Sequence, residues 1–426
     1  MQLNAPASPG PGAVRGALRA AAGVLLAGGA AAAVASAAHA ADTTRWQFDS
    51  SGLLYGELHR TTVVEPMARI TRLFSKGNSL TAQVDFDAIT GASPSGAQPS
   101  GVVQTTTTPS GNTKTVPAGD LPLTDFHDVR GAVDLEYAQP IGSHLTATAG
   151  GHFSKEQDYR SLGGRAQLSL EAFQRLSTFT FGASANNDVI TPLDGTRAPF
   201  TEDDRTGVAN DNKHARSWLA GTSRVMTRRW LLGATGTYAE EWGYLTDPYK
   251  VVSTLDPVTG HTTGALHEKR PDRRLRRDVL LSSVYHHTSD VSYLSYRYYW
   301  DDWGVQAHTG DFRLRHDLDE THFVQPHLRF SHQGAADFYS YGLIEGTAKP
   351  EFASSDYRLG TLNTVTVGAT YGFDLVNVPG QITVRGEFMR QWGRGFPDVA
   401  VGSQKTYNLA PGVNTGTLML GWSVGW

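Results

Sequence analysis

The chain has 426 residues, with 39% hydrophobic residues, 46 glycines and no cysteine. Without cysteine it forms no disulfide, no thiolate metal site, no covalent c-type haem attachment and no lipid anchor on an N-terminal cysteine. The formal net charge is -4, and the absence of a basic domain predicts no nucleic acid partner.

The first 40 residues predict a secretory signal peptide. Arg15 and Arg19 precede an apolar stretch of mostly alanine and glycine, which ends in the small-residue pattern AHA at 38–40. A positive region, an apolar region and a small-residue cleavage site follow one another in such signals. A membrane-anchoring helix is the alternative, but alanine and glycine are too weakly apolar for stable anchoring. We therefore expect cleavage after Ala40 and export of residues 41–426 as a single domain.

The rest of the sequence alternates between apolar and polar residues. In 80–88 and 129–137, every second residue is apolar or small, and mostly polar residues fill the gaps. A period of two is β-strand geometry, and no later apolar run approaches the ~18 residues of a membrane-spanning helix. We expect about sixteen strands (about 14 to 18), each near the ~10 residues that cross an outer membrane. They cover 46–58, 62–73, 79–90, 126–139, 145–157, 161–173, 176–187, 214–226, 229–244, 277–288, 291–302, 307–318, 322–332, 358–373, 380–392 and 415–426.

The connections between these strands differ in length by side. If the first strand rises from the periplasm, every long loop falls on the outer side, and the inner connections are short. Outer-membrane barrels show this arrangement, and aromatic residues near both strand ends fit their two aromatic belts. The sequence therefore predicts an all-β fold, a transmembrane antiparallel up-and-down β-barrel in the bacterial outer membrane. The long external loops are expected at 91–125, 188–213, 245–276, 333–357 and 393–414.

The segment TLMLGWSVGW (417–426) predicts the last membrane strand. Leu418 and Leu420 share a lipid-facing side with the aromatic residues that follow. Outer-membrane barrels resemble one another in ending on such an aromatic strand, so Trp422, Val424 and Trp426 are the expected signal for the barrel-assembly machinery. This machinery, outer-membrane lipid and lipopolysaccharide are the expected partners.

Four further segments are distinctive: VVEP (63–66), TGASPSGAQPS (90–100), FSKEQDYRSLGG (153–164) and SDYRLGTLN (355–363). They resemble an uncharacterised bacterial family of outer-membrane barrels, a domain of unknown function, and the resemblance spans essentially the whole mature chain. It implies a Gram-negative outer-membrane location and no established activity. Genes of such proteins often neighbour those of a flavin transferase, a thioredoxin-like protein and a small lipoprotein. The resemblance therefore implies a periplasmic redox or lipoprotein partner.

Charged residues on the inward face of strands two to four form a candidate lumen site. They are Glu65, Arg69, Asp85, Asp87, Arg130, Asp134 and Glu136. One hypothesis is a polar patch that selects or guides a cationic solute or a docked partner. The other is a structural ladder of ion pairs, with Arg69 opposite Asp85 or Asp87, because buried charges are usually paired. Pro66 removes one backbone donor from the second strand and predicts a bulge there.

Metal and catalytic sites find little support. His286 and His327 share the lumen face but lie three strands apart, roughly 14 Å, which no single metal bridges. The acidic loop 201–212 offers oxygen ligands for calcium but lacks EF-hand spacing, so we interpret it as a solvated loop. No G-x-S-x-G motif occurs and no Ser-His-acid set stands out. No enzyme activity, metal or cofactor is predicted.

The segment 90–100 is rich in glycine, serine and proline but lacks the lysine of a phosphate-binding loop. We interpret it as a structured external loop. Its length and lack of charge lead to the hypothesis that it folds into the lumen as a constriction.

Two functions remain open. The leading one is a channel, or the outer-membrane component of an extracytoplasmic transport or redox system, because a barrel of this size is wide enough for an aqueous lumen. Without cysteine it carries no c-type haem itself, so an electron role requires a partner. The alternative is a binding or scaffold barrel, closed to solutes, whose external loops contact partners or surfaces.

Overall fold

The computed structural model describes residues 45–426, apart from residues 59, 108–112, 194, 203–205, 207 and 376–378. The expected signal peptide lies outside the described residues. Within the described part of the chain, no helix is long and apolar enough to cross a membrane.

Sixteen antiparallel strands close into one barrel, and their order around the ring is their order along the chain. The predicted all-β barrel of about sixteen strands is confirmed, with strand ends shifted by a few residues. β19 begins later than predicted, at Leu362, because Tyr357–Leu359 form a 3-10 turn before it. The strands are β1 (Arg45–Glu57), β2 (Thr61–Leu73), β3 (Ser79–Pro94), β6 (Leu123–Ile141), β7 (Leu145–Lys155), β8 (Tyr159–Ala172), β9 (Ser177–Ile190), β10 (Asp211–Thr227), β11 (Trp230–Gly243), β14 (Arg273–His286), β15 (Asp290–Asp301), β16 (Gln306–Asp317), β17 (His322–Gln333), β19 (Leu362–Asp374), β20 (Gln381–Gly393) and β21 (Val413–Gly425).

Five further strands lie in the outer loops. β4 pairs with β5, and β12 lies between β13 and β18 in a small three-stranded sheet. The sequence pattern missed them because runs this short carry too little periodicity to be recognised. Their bounds are β4 (Gln104–Thr107), β5 (Thr113–Val116), β12 (Val251–Leu255), β13 (Thr262–His267) and β18 (Leu343–Ile344).

The barrel closes where β1 pairs with β21. Their register is continuous over the length of both strands. At the end of this seam the Trp46 N–H donates to the Trp426 carbonyl oxygen at 2.8 Å, and the Trp426 N–H donates back at 2.9 Å. Neither β1 nor β21 is therefore left as an exposed sheet edge, which is where sheets aggregate.

The outer surface of the barrel is apolar. Leu135, Leu162 and Phe181 point outward and are 54%, 63% and 57% exposed, because alternate residues of each strand face away from the lumen. Such a band suits contact with lipid and not with water. On β21, Trp422 is exposed as expected, whereas Val424 on the same face is buried.

Pro66 does not introduce a bulge, so that expectation was wrong. β2 and β3 keep one register on either side of the proline, from Val64–Ala88 to Met67–Asp85. β1 and β2 pair continuously through Gly52–Pro66. The missing donor is accommodated within the ladder without an extra residue.

Candidate functional site

The seven charged residues predicted for the lumen all lie on the inward face of β2, β3 and β6, which are adjacent in the ring. Arg69, however, contacts neither aspartate. Its Nε and Nη2 donate to Gln83 Oε1 at 2.8 and 2.6 Å, and Gln83 Nε2 donates to the Asp85 carboxylate at 2.9 and 3.0 Å. The expected Arg69–aspartate pairing was wrong because Gln83 stands directly opposite Arg69 in the register.

Four of the remaining charges, Asp87, Arg130, Asp134 and Glu136, form ion pairs between strands. Arg130 pairs with Asp87. Arg165 of β8 lies 2.9 Å from Asp134 and 3.0 Å from Glu136, so one guanidinium joins two carboxylates. Arg165 was missed by the sequence reasoning, although its inward position follows from the alternation within 161–173. The first wall, which we define as Glu65, Arg69, Asp85, Asp87, Arg130, Asp134, Glu136 and Arg165, holds five carboxylates and three arginines.

A second charged wall lies on β16, β17 and β20. His327 Nε2 is 2.9 Å from Asp311 Oδ2, and its Nδ1 is 2.6 Å from Glu387 Oε1. Only an imidazolium donates from both ring nitrogens, so the arrangement holds His327 as a cation. Glu387 also accepts from Arg385 Nε at 2.7 Å. His327 therefore belongs to an ion-pair chain, three strands from His286 around the ring.

All five long outer loops meet over the outer end of the barrel, and we call this assembly the loop cap. The loop between β11 and β14 is its centre. Its Lys250 Nζ donates to the Pro94 carbonyl oxygen at 2.6 Å, and its Gly260 carbonyl oxygen accepts from Gln404 Nε2 at 2.9 Å. It also holds β18 through β12, and its His267 exchanges backbone hydrogen bonds with the 188–210 loop.

The loop cap crosses the mouth of the barrel. β3 and β11 lie six places apart in the ring of sixteen, which is roughly 29 Å along the wall at normal strand spacing. The contact between Lys250 and Pro94 cannot follow the wall over that distance. The loops must extend across the opening and restrict it.

A charged network is buried inside the loop cap. Glu268 and Asp356 are each 1% exposed. Arg270 joins them, with Nε 2.6 Å from Glu268 and Nη2 2.8 Å from Asp356. Burial raises the pKa of Glu268 against the pull of Arg270. Burial would also raise the pKa of Asp356, but Arg358 and Arg270 outweigh it and hold that pKa below its usual range.

The loop cap also has its own apolar core. Trp303 and Val305, from the turn between β15 and β16, are buried against Ala336 and Leu359. The Trp303 ring packs edge-on to Phe338 at 5.0 Å between centroids. Buried apolar surface and a paired charge network are features of a folded domain, so these loops are a structured part of the protein.

A family model described as "Protein of unknown function (DUF3570)" matches residues 15–424. The chain belongs to this family. The expected resemblance to an uncharacterised family is thereby confirmed. No curated protein matches the chain.

Solved structures similar to the chain include outer-membrane proteins. The outer membrane protein OpdK from Pseudomonas aeruginosa is 8% identical, over 90% of this chain and 99% of that chain, with a TM-score of 0.41. The TodX deltaS2S3 mutant, a monoaromatic hydrocarbon channel, is 9% identical over 90% and 91%, with a TM-score of 0.41. A mutant of the ferric enterobactin receptor PfeA from Pseudomonas aeruginosa is 9% identical over 88% and 59%, with a TM-score of 0.42. No conclusion about function follows from similarity at this level.

The four segments that resemble the family supply residues of both the lumen wall and the loop cap. VVEP contributes Glu65. FSKEQDYRSLGG contains the outer turn between β7 and β8 and ends just before Arg165. SDYRLGTLN contributes Asp356 and Arg358. Within TGASPSGAQPS, Ser100 is fully buried in the loop cap. This segment therefore lies at the outer mouth, and its entry into the lumen stays a prediction.

Three carboxylates meet at the outer turn between β7 and β8. Asp128, Glu156 and Asp158 place ligand atoms within 4.8 Å of one another. Burial, with the Asp128 carboxylate, raises the pKa of Glu156 to about 7. Tyr249 of the loop cap donates its hydroxyl to Asp158 at 2.6 Å. Sequence reasoning missed this cluster because the 27 residues between Asp128 and Glu156 hide their proximity.

The acidic loop 201–212 is only partly covered by the structure. Residues 203–205 and 207 lie outside the described residues. Its interpretation as a solvated loop, with calcium as the alternative, therefore stays a prediction.

Proposed function

We propose that the protein is an outer-membrane channel for small charged solutes, whose outer mouth is restricted by the loop cap. The closed ring of strands with an apolar outer face supports the membrane location, because its backbone groups are paired within the wall. The observation that carries the channel is the charged inner wall. Its ion pairs are partly exposed, which fits a water-filled lumen. In a dry interior, charged groups would carry a large desolvation cost.

The first wall favours cations over anions. It holds more carboxylates than arginines, and Asp85 accepts from the neutral Gln83 amide and not from a guanidinium. An uncompensated carboxylate in a lumen of lowered dielectric attracts cations and repels anions. Cation preference is therefore part of the proposal.

Planar-bilayer recording of the purified protein tests the channel. We expect single-channel steps in KCl and a cation-selective reversal potential in a KCl gradient. Asp85→Asn should lower the cation-to-anion permeability ratio by about twofold, because it removes one uncompensated charge near the passage. Asp374→Asn, an inward carboxylate at the periplasmic end of β19, is the matched control with a smaller expected effect. Selectivity unchanged by Asp85→Asn contradicts the role of the first wall.

The loop cap favours a second candidate function, a barrel closed to solutes that binds partners through its outer loops. Loops that cross the mouth and share a buried core can seal it as well as narrow it. The Arg270→Gln variant removes the shared cation of the buried network. If neither the wild type nor this variant gives conductance steps in the bilayer recording, the second function is supported. Steps that appear only in Arg270→Gln identify a gated channel.

The periplasmic redox or lipoprotein partner and the barrel-assembly machinery remain predictions from the sequence. Pull-down of the native protein with periplasmic extract tests the first of them. A redox protein or lipoprotein that is recovered equally when the outer loops are replaced by unrelated sequence supports docking at the periplasmic end.

A further inference from the structure

The lipid-facing side of the barrel carries a group of arginines that the channel does not use. Arg216 of β10 and Arg273 and Arg277 of β14 lie on the outward face, and we call them the arginine cluster. Their strands flank β11, where Tyr238 points outward in register with both Trp218 and Arg277. The side chains of Arg216 and Arg273 are 50% and 59% exposed.

Neighbouring side chains hold these guanidiniums in place. Arg216 Nε donates to Glu240 Oε2 at 2.8 Å, and Arg273 Nη2 lies 2.6 Å from Glu240 Oε1. The Arg216 guanidinium also lies 5.4 Å from the Trp218 ring centroid and 5.0 Å from that of Trp242. Arg277 lies over the Tyr238 ring in the same way, at 5.7 Å.

One carboxylate does not neutralise three guanidiniums. Glu240 is the acidic side chain on this outward patch of β10, β11 and β14 in the described residues. The cluster therefore presents excess positive charge on a surface that otherwise faces hydrocarbon. Exposed cations on such a surface are unfavourable within the bilayer and stable where lipid headgroups begin.

The cluster lies at the outer edge of the apolar band. β10 carries a second outward arginine, Arg224, eight residues further toward the periplasm. Eight residues span roughly 26 Å along a strand, which at the usual ~40° strand tilt is about 20 Å of height and comparable with the ~25 Å apolar band of such barrels. Arg216 and Arg224 therefore mark its two edges, and the loop cap places Arg216 at the outer one.

We propose that the arginine cluster binds the phosphate groups of lipopolysaccharide in the outer leaflet. Guanidinium forks match phosphate oxygens in pairs, and the tryptophan rings beside them pack on acyl chains while their N–H groups face the headgroups. The proposal rests on the outer-membrane location argued above. It does not depend on whether the lumen conducts.

Native mass spectrometry of the detergent-purified barrel, titrated with diphosphoryl lipid A, tests the proposal. Arg216→Gln combined with Arg273→Gln should weaken lipid A binding by about tenfold or more, because two of the three phosphate-binding forks are lost. Arg224→Gln, on the same strand and the same face but at the other edge, should leave binding unchanged. Glu240→Gln should strengthen binding a few-fold, because it removes the competing carboxylate.

The outcomes separate the proposal from its alternatives. Equal lipid A binding by wild type and the double arginine variant overturns it, as does an equal loss in Arg224→Gln. Inorganic phosphate that displaces lipid A at equal concentration also overturns it, because the site would then bind free anion and not a membrane lipid. Heat-modifiable gel mobility confirms that each variant is a folded barrel. A silent barrel in the bilayer recording would refute the channel and leave this binding result intact.

Discussion

The barrel wall and the loop cap use charge in opposite ways. In the wall, Arg165 of β8 reaches Asp134 of β6 across the intervening strand β7, and both remain partly exposed to the lumen. In the loop cap, Arg270 reaches Asp356 from another loop, and both are buried. Exposed ion pairs contribute little to stability, whereas removing one partner of a buried pair is strongly destabilising. The wall charges are therefore free to serve the lumen, and those of the loop cap hold the loops together.

The largest expected effect concerns the barrel wall alone, at the seam between β1 and β21. Trp426→Asp places a charge at the periplasmic end of β21, where the seam closes and the assembly signal is predicted. We expect assembled barrel in the outer membrane to fall by more than about tenfold, because the substitution removes the terminal aromatic residue of the predicted assembly signal. Heat-modifiable mobility of membrane fractions measures it. Met419→Asp, inward on the same strand opposite Arg385, should assemble normally, and equal loss in both variants would contradict the signal.

The next effect should be confined to the loop cap. Arg270→Gln leaves the buried carboxylates of Glu268 and Asp356 without their shared cation, which costs about 3–5 kcal/mol locally. Limited proteolysis should cut the 245–276 loop much faster, while barrel mobility on gels stays unchanged. The matched control is Arg394→Gln, whose partner Asp398 is highly exposed, and which should cost less than about 1 kcal/mol. Equal protection in Arg270→Gln and wild type would show that the loop cap does not depend on this network.

The smallest effect concerns pH at the contact between wall and loop cap. The pKa of Glu156 is about 7 in the folded protein against an ordinary value of 4.5. The folded state therefore keeps a proton that the unfolded chain loses, and stability falls as pH rises from about 4.5 to about 7. We expect the turn at 155–160 to be less stable at pH 8 than at pH 5.5, by about 1 kcal/mol or less after solvent screening. Hydrogen exchange of that turn measures it, and Glu156→Gln should abolish the pH dependence; a dependence that persists excludes Glu156 as its source.

The wall was readable from sequence because its geometry is periodic. A strand's period of two assigns every residue to a face, which placed Glu65, Arg130 and Asp134 inward from the sequence alone. Pairing within the wall was harder to predict. The partner of Arg69 depends on register, and a nearby glutamine satisfied it in place of an aspartate.

The loop cap could not be read in this way. Gln404 contacts the Pro99 carbonyl oxygen across 305 residues of sequence, and no local pattern encodes such a contact. Length and position predicted five long outer loops, and their composition indicated polar surface. Their shared core and buried charges arise only when the closed barrel brings the loops over one opening.

The central loop of the loop cap also limits which positions of the outer loops accept substitutions and insertions. Outer loops of a barrel ordinarily accept insertions and deletions freely, because they lack fixed neighbours. Here a Cβ at Gly96 would lie 2.2 Å from the Val251 carbonyl oxygen, so even one added methyl group forces two loops apart. Tolerance to change is confined to tips such as Val258, which is 80% exposed. A label on the Val258 side chain would therefore report from this outer surface, whereas a longer insertion would displace Thr259 and Gly260, which contact the 393–414 loop.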